Sequence, residues 1–118
     1  MLGKHYSKIS IGTANLESEY GLLKKNNLSF NQFKKIINIC KKNKIKFIDT
    51  SNLYKDSEKL VGKIKQSKLK IITKSIFNLK SKSFNIKHSC INLRQKPYAI
   101  LFHKFIDYKK KRNFFIKE

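Results

Sequence analysis

Four ionisable side chains lie at or just after the ends of the β-strands that the sequence predicts. Asp49, Lys74 and His103 each end one of these strands, and Tyr54 lies in the loop that follows the strand of Asp49. In parallel α/β folds the carboxyl ends of the strands form the active face, so we expect the four side chains to converge on one rim. This convergence is more informative than any of the four residues alone.

Each of the four residues also has a structural explanation. Asp49 could cap the turn after its strand, and Lys74 belongs to a total of 28 lysines and arginines. Tyr54 is one of five tyrosines, and His103 could be a hydrogen-bonded core histidine. The functional interpretation is favoured by the order of the set along consecutive strands and not by any single member.

Strands that alternate with helices must position these groups. The alternation predicts right-handed βαβ units and a parallel sheet, and the apolar runs IIT and YAILF favour strands buried on both faces. The predicted strands are Lys8–Thr13, Ile45–Asp49, Leu69–Lys74 and Tyr98–His103, and the predicted helices are Leu28–Lys44, a segment from Asp56 to Ile64, and Ser83–Leu93.

The first predicted helix has the clearest local signals. Ser29 and Gln32 have the spacing of a capping box, and Phe30, Phe33, Ile37 and Cys40 follow at helical spacing. In the third helix, Ile86, Cys90 and Leu93 are predicted to share the buried face. The two cysteines form no C-x-x-C pair, so we expect two small core residues and neither a disulfide framework nor a zinc site.

The formal net charge of +21 suggests a polyanionic partner. Only Arg94 and Arg112 are arginines, whereas specific phosphate or base recognition favours the bidentate guanidinium. The lysines are also spread along the whole chain, which favours a solvated basic surface. The alternative function is nevertheless a small basic α/β module that binds nucleic acid or another polyanion, with Lys109 to Arg112 as its best local candidate.

The run IDTSNLYKDSEKLVG carries a more specific signal. Its Asp-Thr, Tyr and Ser-Glu residues and its later glycine have the spacing of the aldo-keto reductases, which this sequence resembles. The matching segments, over about residues 8–103, are Ile11-Gly12-Thr13, Tyr20-Gly21, Ile48-Asp49-Thr50-Ser51, Tyr54, Ser57-Glu58, Leu60-Val61-Gly62, Ile72-Thr73-Lys74 and Leu101-Phe102-His103. The resemblance implies parallel (β/α) units that correspond to about the first four strands of a (β/α)8 TIM barrel.

The resemblance also implies an oxidoreductase mechanism. Tyr54 would be the general acid that protonates a carbonyl oxygen while the nicotinamide of NADP(H) delivers hydride to the carbon. Lys74 would favour the phenolate of Tyr54, and Asp49 would pair with Lys74 and orient it. His103 would hydrogen-bond the substrate oxygen and fix its orientation.

The same resemblance places Gly12, Thr13 and Asp49 near the nicotinamide ribose and implies no metal. Two residues near Tyr54 depart from the family pattern. Lys55 stands where a glycine usually follows the catalytic tyrosine, and Ser51 stands where the family has an alanine. Lys55 adds a bulky cation beside the proposed site, so we expect it to affect the shape of the loop and the substrate pocket, and we expect Ser51 to be a mild change.

Length is the larger departure, since a barrel of this type typically needs about 250 residues. We expect one partial domain over residues 1–118, with residues 104–118 as a basic tail or the start of a further helix, and too little chain for independent activity. A truncated frame, a decayed product without ligand, or a half completed by a partner are all consistent with this length.

Two copies could cover the open half barrel by self-association, and a small carbonyl or alcohol would be the substrate. The N-terminus has no signal-peptide pattern and no stretch has the length of a membrane span, so a cytoplasmic location is expected.

Overall fold

The computed structural model describes residues 8–18, 27–64, 69–78 and 83–109. The predicted match at Tyr20-Gly21 and residues 110–118 of the predicted tail lie outside this part of the chain. The elements are β1 (Ser10–Gly12), α1 (Phe30–Lys42), β2 (Phe47–Ser51), α2 (Ser57–Gly62), β3 (Lys70–Ser75), β4 (Phe77–Asn78), β5 (Ser83–Phe84), α3 (Ile86–Leu93) and β6 (Ala99–Phe102).

A four-stranded parallel sheet organises the molecule. Its strand order is β1-β2-β3-β6, and β4 pairs with β5 in a separate antiparallel ladder. Ile48 of β2 lies between Ile11 and Ile71, and the next residue, Asp49, lies between Gly12 and Ile72. The predicted α/β class with a parallel sheet and intervening helices is confirmed.

The core fills the space between one face of the sheet and the helices. Alternate residues of a strand point to opposite faces, so Ile48 and Ile71 lie on the helix side and Asp49 and Ile72 on the other. The core cluster consists of Leu16, Phe33, Ile37, Ile48, Leu60, Val61, Leu69, Ile71 and Leu93.

Helix α1 begins at the capping box that the sequence predicts. The Ser29 hydroxyl accepts from the Gln32 N–H at 3.3 Å, and the Gln32 side-chain oxygen accepts from the Ser29 N–H at 2.9 Å. The helix starts at Phe30, later than predicted, because Leu28 instead forms a bridge with Leu16. The predicted buried face is confirmed at Phe33, Ile37 and Cys40, while Phe30 is half-buried against the core.

The boundaries of the strands differ from the predicted ones. Strand β2 extends two residues further, because Thr50 and Ser51 pair with Thr73 and Lys74 of β3. Asp49 therefore lies in the middle of its strand, and the prediction that Asp49 and Lys74 end their strands is wrong. His103 directly follows the end of β6.

The apolar run of β6 is not buried on both faces, contrary to the prediction. Leu101 is 47% exposed and Tyr98, just before the strand, is 59% exposed. Strand β6 is the outer strand of the sheet, and no element in the described ranges covers the face that carries Leu101. The prediction of a strand buried on both faces is therefore wrong for β6, because no described element packs on one of its faces.

Helices α2 and α3 pack closely because Gly62 has no side chain. A Cβ at this position would lie 2.1 Å from the carbonyl oxygen of Asn92. Beside this contact, the buried Glu58 carboxylate accepts from the Thr73 hydroxyl at 2.7 Å and the Asn92 amide at 3.3 Å. Helix α2 ends at Gly62, so Ile64, which the sequence placed in this helix, packs against the core from just beyond its end.

The predicted helix Ser83–Leu93 is wrong in its first turn. Ser83 and Phe84 form β5 instead, because Phe84 stacks edge-on against Phe77 with 5.1 Å between ring centroids and pairs with it across the ladder. In α3 the buried residues are Ser89 and Leu93. Ile86 is exposed and Cys90 is half-buried, so the predicted face is only partly correct.

None of the helices within the described ranges has the length and apolar character needed to cross a membrane. The extent of the single domain is not tested and stays a prediction.

Candidate active site

An ion pair between β2 and β3 forms the centre of the candidate site. Lys74 Nζ lies 2.5 Å from Asp49 Oδ2, and both side chains are partly exposed, at 18% and 33%. Both side chains lie on the sheet face opposite the helices. Asp49 pairs with Ile72, and Lys74 lies two residues further along β3, where it pairs with Ser51. The pair therefore borders the open side of the sheet, where a ligand can reach it.

Tyr54 stands over this ion pair from the loop after β2. The turn is held by hydrogen bonds from the Tyr54 N–H to the Ser51 carbonyl at 3.1 Å and from the Ser57 N–H to the Tyr54 carbonyl at 2.8 Å. Lys74 Nζ lies 5.3 Å from the centroid of the Tyr54 ring, within the range of a cation–π contact. The structure therefore brings the Lys74 ammonium close to the Tyr54 ring, as the sequence predicts.

Lys55 adopts a backbone conformation that favours glycine. Its φ is 40°, in the left-handed region that costs a residue with a Cβ roughly 1–2 kcal/mol. This is the position at which the family pattern has a glycine, so the loop keeps the shape that a glycine would allow although the residue differs. The side chain of Lys55 is exposed.

His103 completes the cluster from the end of β6. Its N–H donates to the Ser75 carbonyl at 3.0 Å, and its ring meets that of Tyr54 edge-on, with 6.0 Å between centroids. Burial, and after it the positive charges of Lys74 and Lys104, lower the pKa of His103 below its usual value. The neutral imidazole is therefore favoured.

Ser51 is a member of the site that the sequence did not identify. It is fully buried, and its hydroxyl lies 3.0 Å from His103 Nδ1 and 2.9 Å from the Lys74 carbonyl oxygen. Its only signal in the sequence was a departure from the family pattern, which we expected to be mild. The strand register explains the contact, because Ser51 pairs with Lys74 at the same edge where β6 ends.

The three residues expected near a nicotinamide ribose have different surroundings. Gly12 pairs with Asp49 across β1 and β2, and a Cβ there would find no atom within 4 Å, so the space above it is open. Thr13 is buried, and its hydroxyl donates to the Asp49 carbonyl at 3.2 Å. Gly12 and the Asp49 carboxylate can therefore border a ligand, whereas the Thr13 side chain holds β1 against β2.

One further polar atom at this edge lacks a partner. The Asn52 amide nitrogen donates to Ser75 Oγ at 2.8 Å, while its buried side-chain oxygen makes no hydrogen bond within the described residues. A buried acceptor without a partner is unusual in a folded protein. In the same part of the chain, no group of three or more His, Cys, Asp or Glu residues could hold a metal ion.

Comparisons with known proteins agree with the fold. The fold is similar to the crystal structure of a Pseudomonas aeruginosa protein, PA4992, described as a candidate aldo-keto reductase, with a TM-score of 0.63 at 16% identity. The match covers 80% of this chain and 42% of that one, so the chain spans about two fifths of its length. No curated protein matches the chain.

The sequence itself matches the profile of the Aldo/keto reductase family over residues 8–97. This range includes Asp49, Tyr54 and Lys74, and His103 lies just beyond it. The match extends over most of the 118 residues. The chain belongs to the aldo/keto reductase family.

Proposed function

We propose that this rim supplies the proton-transfer groups of an NADP(H)-linked reductase that interconverts a small carbonyl compound and its alcohol. The observation that carries the proposal is the Asp49–Lys74 ion pair beneath the Tyr54 ring, with His103 beside it. Family membership supports the reaction class, because Asp49, Lys74 and Tyr54 all lie within the matched residues.

In the proposed reaction, the Tyr54 hydroxyl donates its proton to the carbonyl oxygen as that oxygen gains negative charge. The Lys74 ammonium stabilises the phenolate that Tyr54 becomes, and Asp49 holds the ammonium in place through the 2.5 Å contact. When bound, the reduced nicotinamide supplies the hydride that the carbonyl carbon receives. In the reverse direction the phenolate accepts the proton of the alcohol.

The residues of the rim are compatible with the ribose and nicotinamide end of the cofactor. The open space above Gly12 allows close approach, and the partly exposed Asp49 carboxylate can accept a hydrogen bond from a sugar hydroxyl. By family resemblance, the groups that hold the cofactor phosphates belong to the half of the barrel that this chain does not span.

We further propose that a second copy covers the open side of the sheet. Strands β1 and β6 are its outer strands, and Leu101, Phe105 and Ile106 expose apolar surface at the β6 edge. Exposed apolar surface beside an unpaired strand edge favours association. Association would also remove water from the rim, which strengthens the electrostatic effects on which the reaction depends.

The experiment that tests the proposed function is a single turnover at high protein concentration. The chain, in excess over NADPH, is incubated with an aromatic aldehyde, and the alcohol product is quantified. Replacing Tyr54 with Phe removes the donated proton but keeps the ring, and we expect the rate to fall by about 100-fold or more.

Tyr98→Phe is the matched control. Tyr98 lies before β6, at the opposite end of the strands from His103, and its ring contacts Lys70 at 4.3 Å instead of the ion pair. The control should react like the wild type. Equal rates in Tyr54→Phe and wild type would contradict the proposed role of the phenol.

Binding of a polyanion is the alternative function, and the net charge of +21 favours it. Such binding would weaken steeply with salt and would not depend on Tyr54. An interaction with inorganic polyphosphate that is the same in wild type and Tyr54→Phe, without any product alcohol, would support this alternative.

A further inference from the structure

The hydroxyl of Ser51 has three hydrogen-bonding neighbours, and their chemistry constrains His103. The Leu53 N–H lies 3.1 Å from Ser51 Oγ and can only donate. The Lys74 carbonyl oxygen lies 2.9 Å away and can only accept. The third neighbour, His103 Nδ1 at 3.0 Å, either donates or accepts according to the imidazole tautomer.

A serine hydroxyl has one proton and two acceptor lone pairs. If that proton goes to the Lys74 carbonyl, both lone pairs remain for donors, and the Leu53 N–H and an Nδ1–H of His103 use them fully. If Nδ1 of His103 were unprotonated, the single proton of Ser51 would have to serve two acceptors. Ser51 Oγ would then face either the Lys74 carbonyl oxygen or His103 Nδ1 with no proton between the two atoms. Ser51 is fully buried, so water could not relieve this repulsion between lone pairs.

We propose that Ser51 is a positioning residue that holds neutral His103 in the Nδ1–H tautomer, so that Nε2 accepts a hydrogen bond from the hydroxyl of a bound alcohol. The substrate assignment rests on the proposed function, whereas the tautomer does not. In the described residues, Nε2 of His103 has no hydrogen-bond partner. It is therefore available to a ligand at the rim.

The charges around His103 keep the imidazole in the neutral form to which this inference applies. Lys74 faces it from β3, Lys104 and Asp107 from the segment after β6, and Tyr54 from the loop after β2. Burial and, after it, the two cations lower the pKa of His103, and Asp107 opposes them. At neutral pH Nε2 of this tautomer carries a lone pair and accepts a hydrogen bond. It can donate one to a carbonyl oxygen only when the imidazole is protonated to the cation.

The inference changes the role that the family resemblance implies for His103. A carbonyl oxygen is only an acceptor, so it gains nothing from an Nε2 lone pair, whereas an alcohol hydroxyl donates to it directly. At neutral pH the rim should bind an alcohol more tightly than the corresponding aldehyde, and acidification should reduce this preference. An alanine at position 51, the residue of the family pattern, would allow both tautomers.

The test is the tautomer of His103 in the full-length chain, read from the nitrogen-15 shifts and long-range proton–nitrogen couplings of the imidazole at neutral pH. The chain has three histidines, and His103→Asn assigns the relevant signals. We expect protonated Nδ1 and unprotonated Nε2 in the wild type. Ser51→Ala should lose this single pattern and shift toward protonated Nε2.

Ser89→Ala is the matched control, because Ser89 is another buried serine and its hydroxyl makes no hydrogen bond within the described residues. The control should keep the wild-type pattern. A wild type with protonated Nε2, or with mixed tautomers, would overturn the inference without any variant. A folded Ser51→Ala that keeps protonated Nδ1 would overturn the role of Ser51. Neither outcome involves cofactor or turnover, so the proposed function is tested separately.

Discussion

At the scale of single residues, His103 links the candidate site to the stability of the fold. Its side chain is half-buried beside Lys74, and burial is the first cause of its lowered pKa. A histidine whose pKa is lower in the folded chain takes up its proton more readily when the chain unfolds. The free energy of unfolding therefore depends on pH through this residue.

The sign of this dependence follows from the direction of the shift. The stability that comes from the neutral ring is complete above the unfolded pKa, about 6.5, and is lost as the pH falls through the lower folded pKa. We predict that the wild type loses more free energy of unfolding between about pH 7.5 and about pH 5 than His103→Asn does. Urea denaturation at several pH values measures this.

The exposed His88 on α3 supplies the control for this experiment. His88→Asn should show the pH dependence of the wild type. If His103→Asn and wild type lost the same free energy over this range, the burial and charge environment described for His103 would be wrong.

The ionisable residues of the candidate site could be predicted from the sequence, because their side chains have a recognisable chemistry. Asp49, Tyr54, Lys74 and His103 were identified from the family pattern and from predicted strand ends, and the structure brings them together although Asp49 and Lys74 do not end their strands. Ser51 was not predictable as a partner of His103. Its contact depends on the pairing of β2 with β3 two residues beyond the predicted strand end, which is a tertiary property.

At the scale of elements, the contact between α2 and α3 depends on one glycine. A Cβ on Gly62 would lie 2.1 Å from a backbone oxygen of α3. Relieving this overlap requires a shift of the helix backbone, which costs more free energy than the rotation of a side chain. We predict that Gly62→Ala lowers the free energy of unfolding by about 3 kcal/mol. Chemical denaturation measures the loss.

Gly12→Ala is the matched control, because a Cβ at Gly12 meets nothing within 4 Å. Its effect on stability should be close to zero. Equal losses in the two variants would show that α2 and α3 do not pack at the described distance.

Local sequence signals predicted correctly where an element depends only on neighbouring residues, as at the start of α1. The capping box fixed the start of α1 to within two residues, because Ser29 and Gln32 satisfy each other's backbone groups. The segment Ser83–Leu93 looked helical throughout, yet Phe84 contacts Phe77 and Phe102. These long-range ring contacts outweigh local propensity, and no pattern within the segment indicates them.

At the scale of the whole molecule, the open sheet edge and the net charge act against each other. Apolar surface at β6 favours pairing with a second copy, while a charge of +21 on each chain opposes it. We predict that the mass in sedimentation equilibrium exceeds 13.9 kDa and rises toward twice that value with protein concentration. Added salt should increase the association, because it screens the repulsion.

Leu101→Lys places a charge on the exposed face of β6 and should weaken this association. Ile91→Lys adds the same charge at an even more exposed position on α3, at 74% compared with 47%, and should have a smaller effect. A wild type that remains at 13.9 kDa at all concentrations and salt levels would argue against closure by a second copy.

Fold class and family were predictable at this scale, since alternating strands and helices and the run IDTSNLYKDSEKLVG point to the same architecture. The exposure of β6 was not, because an apolar strand has the same sequence whether or not a neighbour covers it. The structure shows which of its residues lack that neighbour.

The central claim is that this rim is a nicotinamide site and not merely a cationic surface. Titration with NADPH at moderate salt, followed by nicotinamide fluorescence in the presence of excess inorganic polyphosphate, tests it most directly. We predict a saturable change in fluorescence that survives the competitor, because Gly12 and Asp49 would contact the uncharged end of the cofactor. A signal that disappears with polyphosphate or with salt would contradict the account and reduce the interaction to bulk charge.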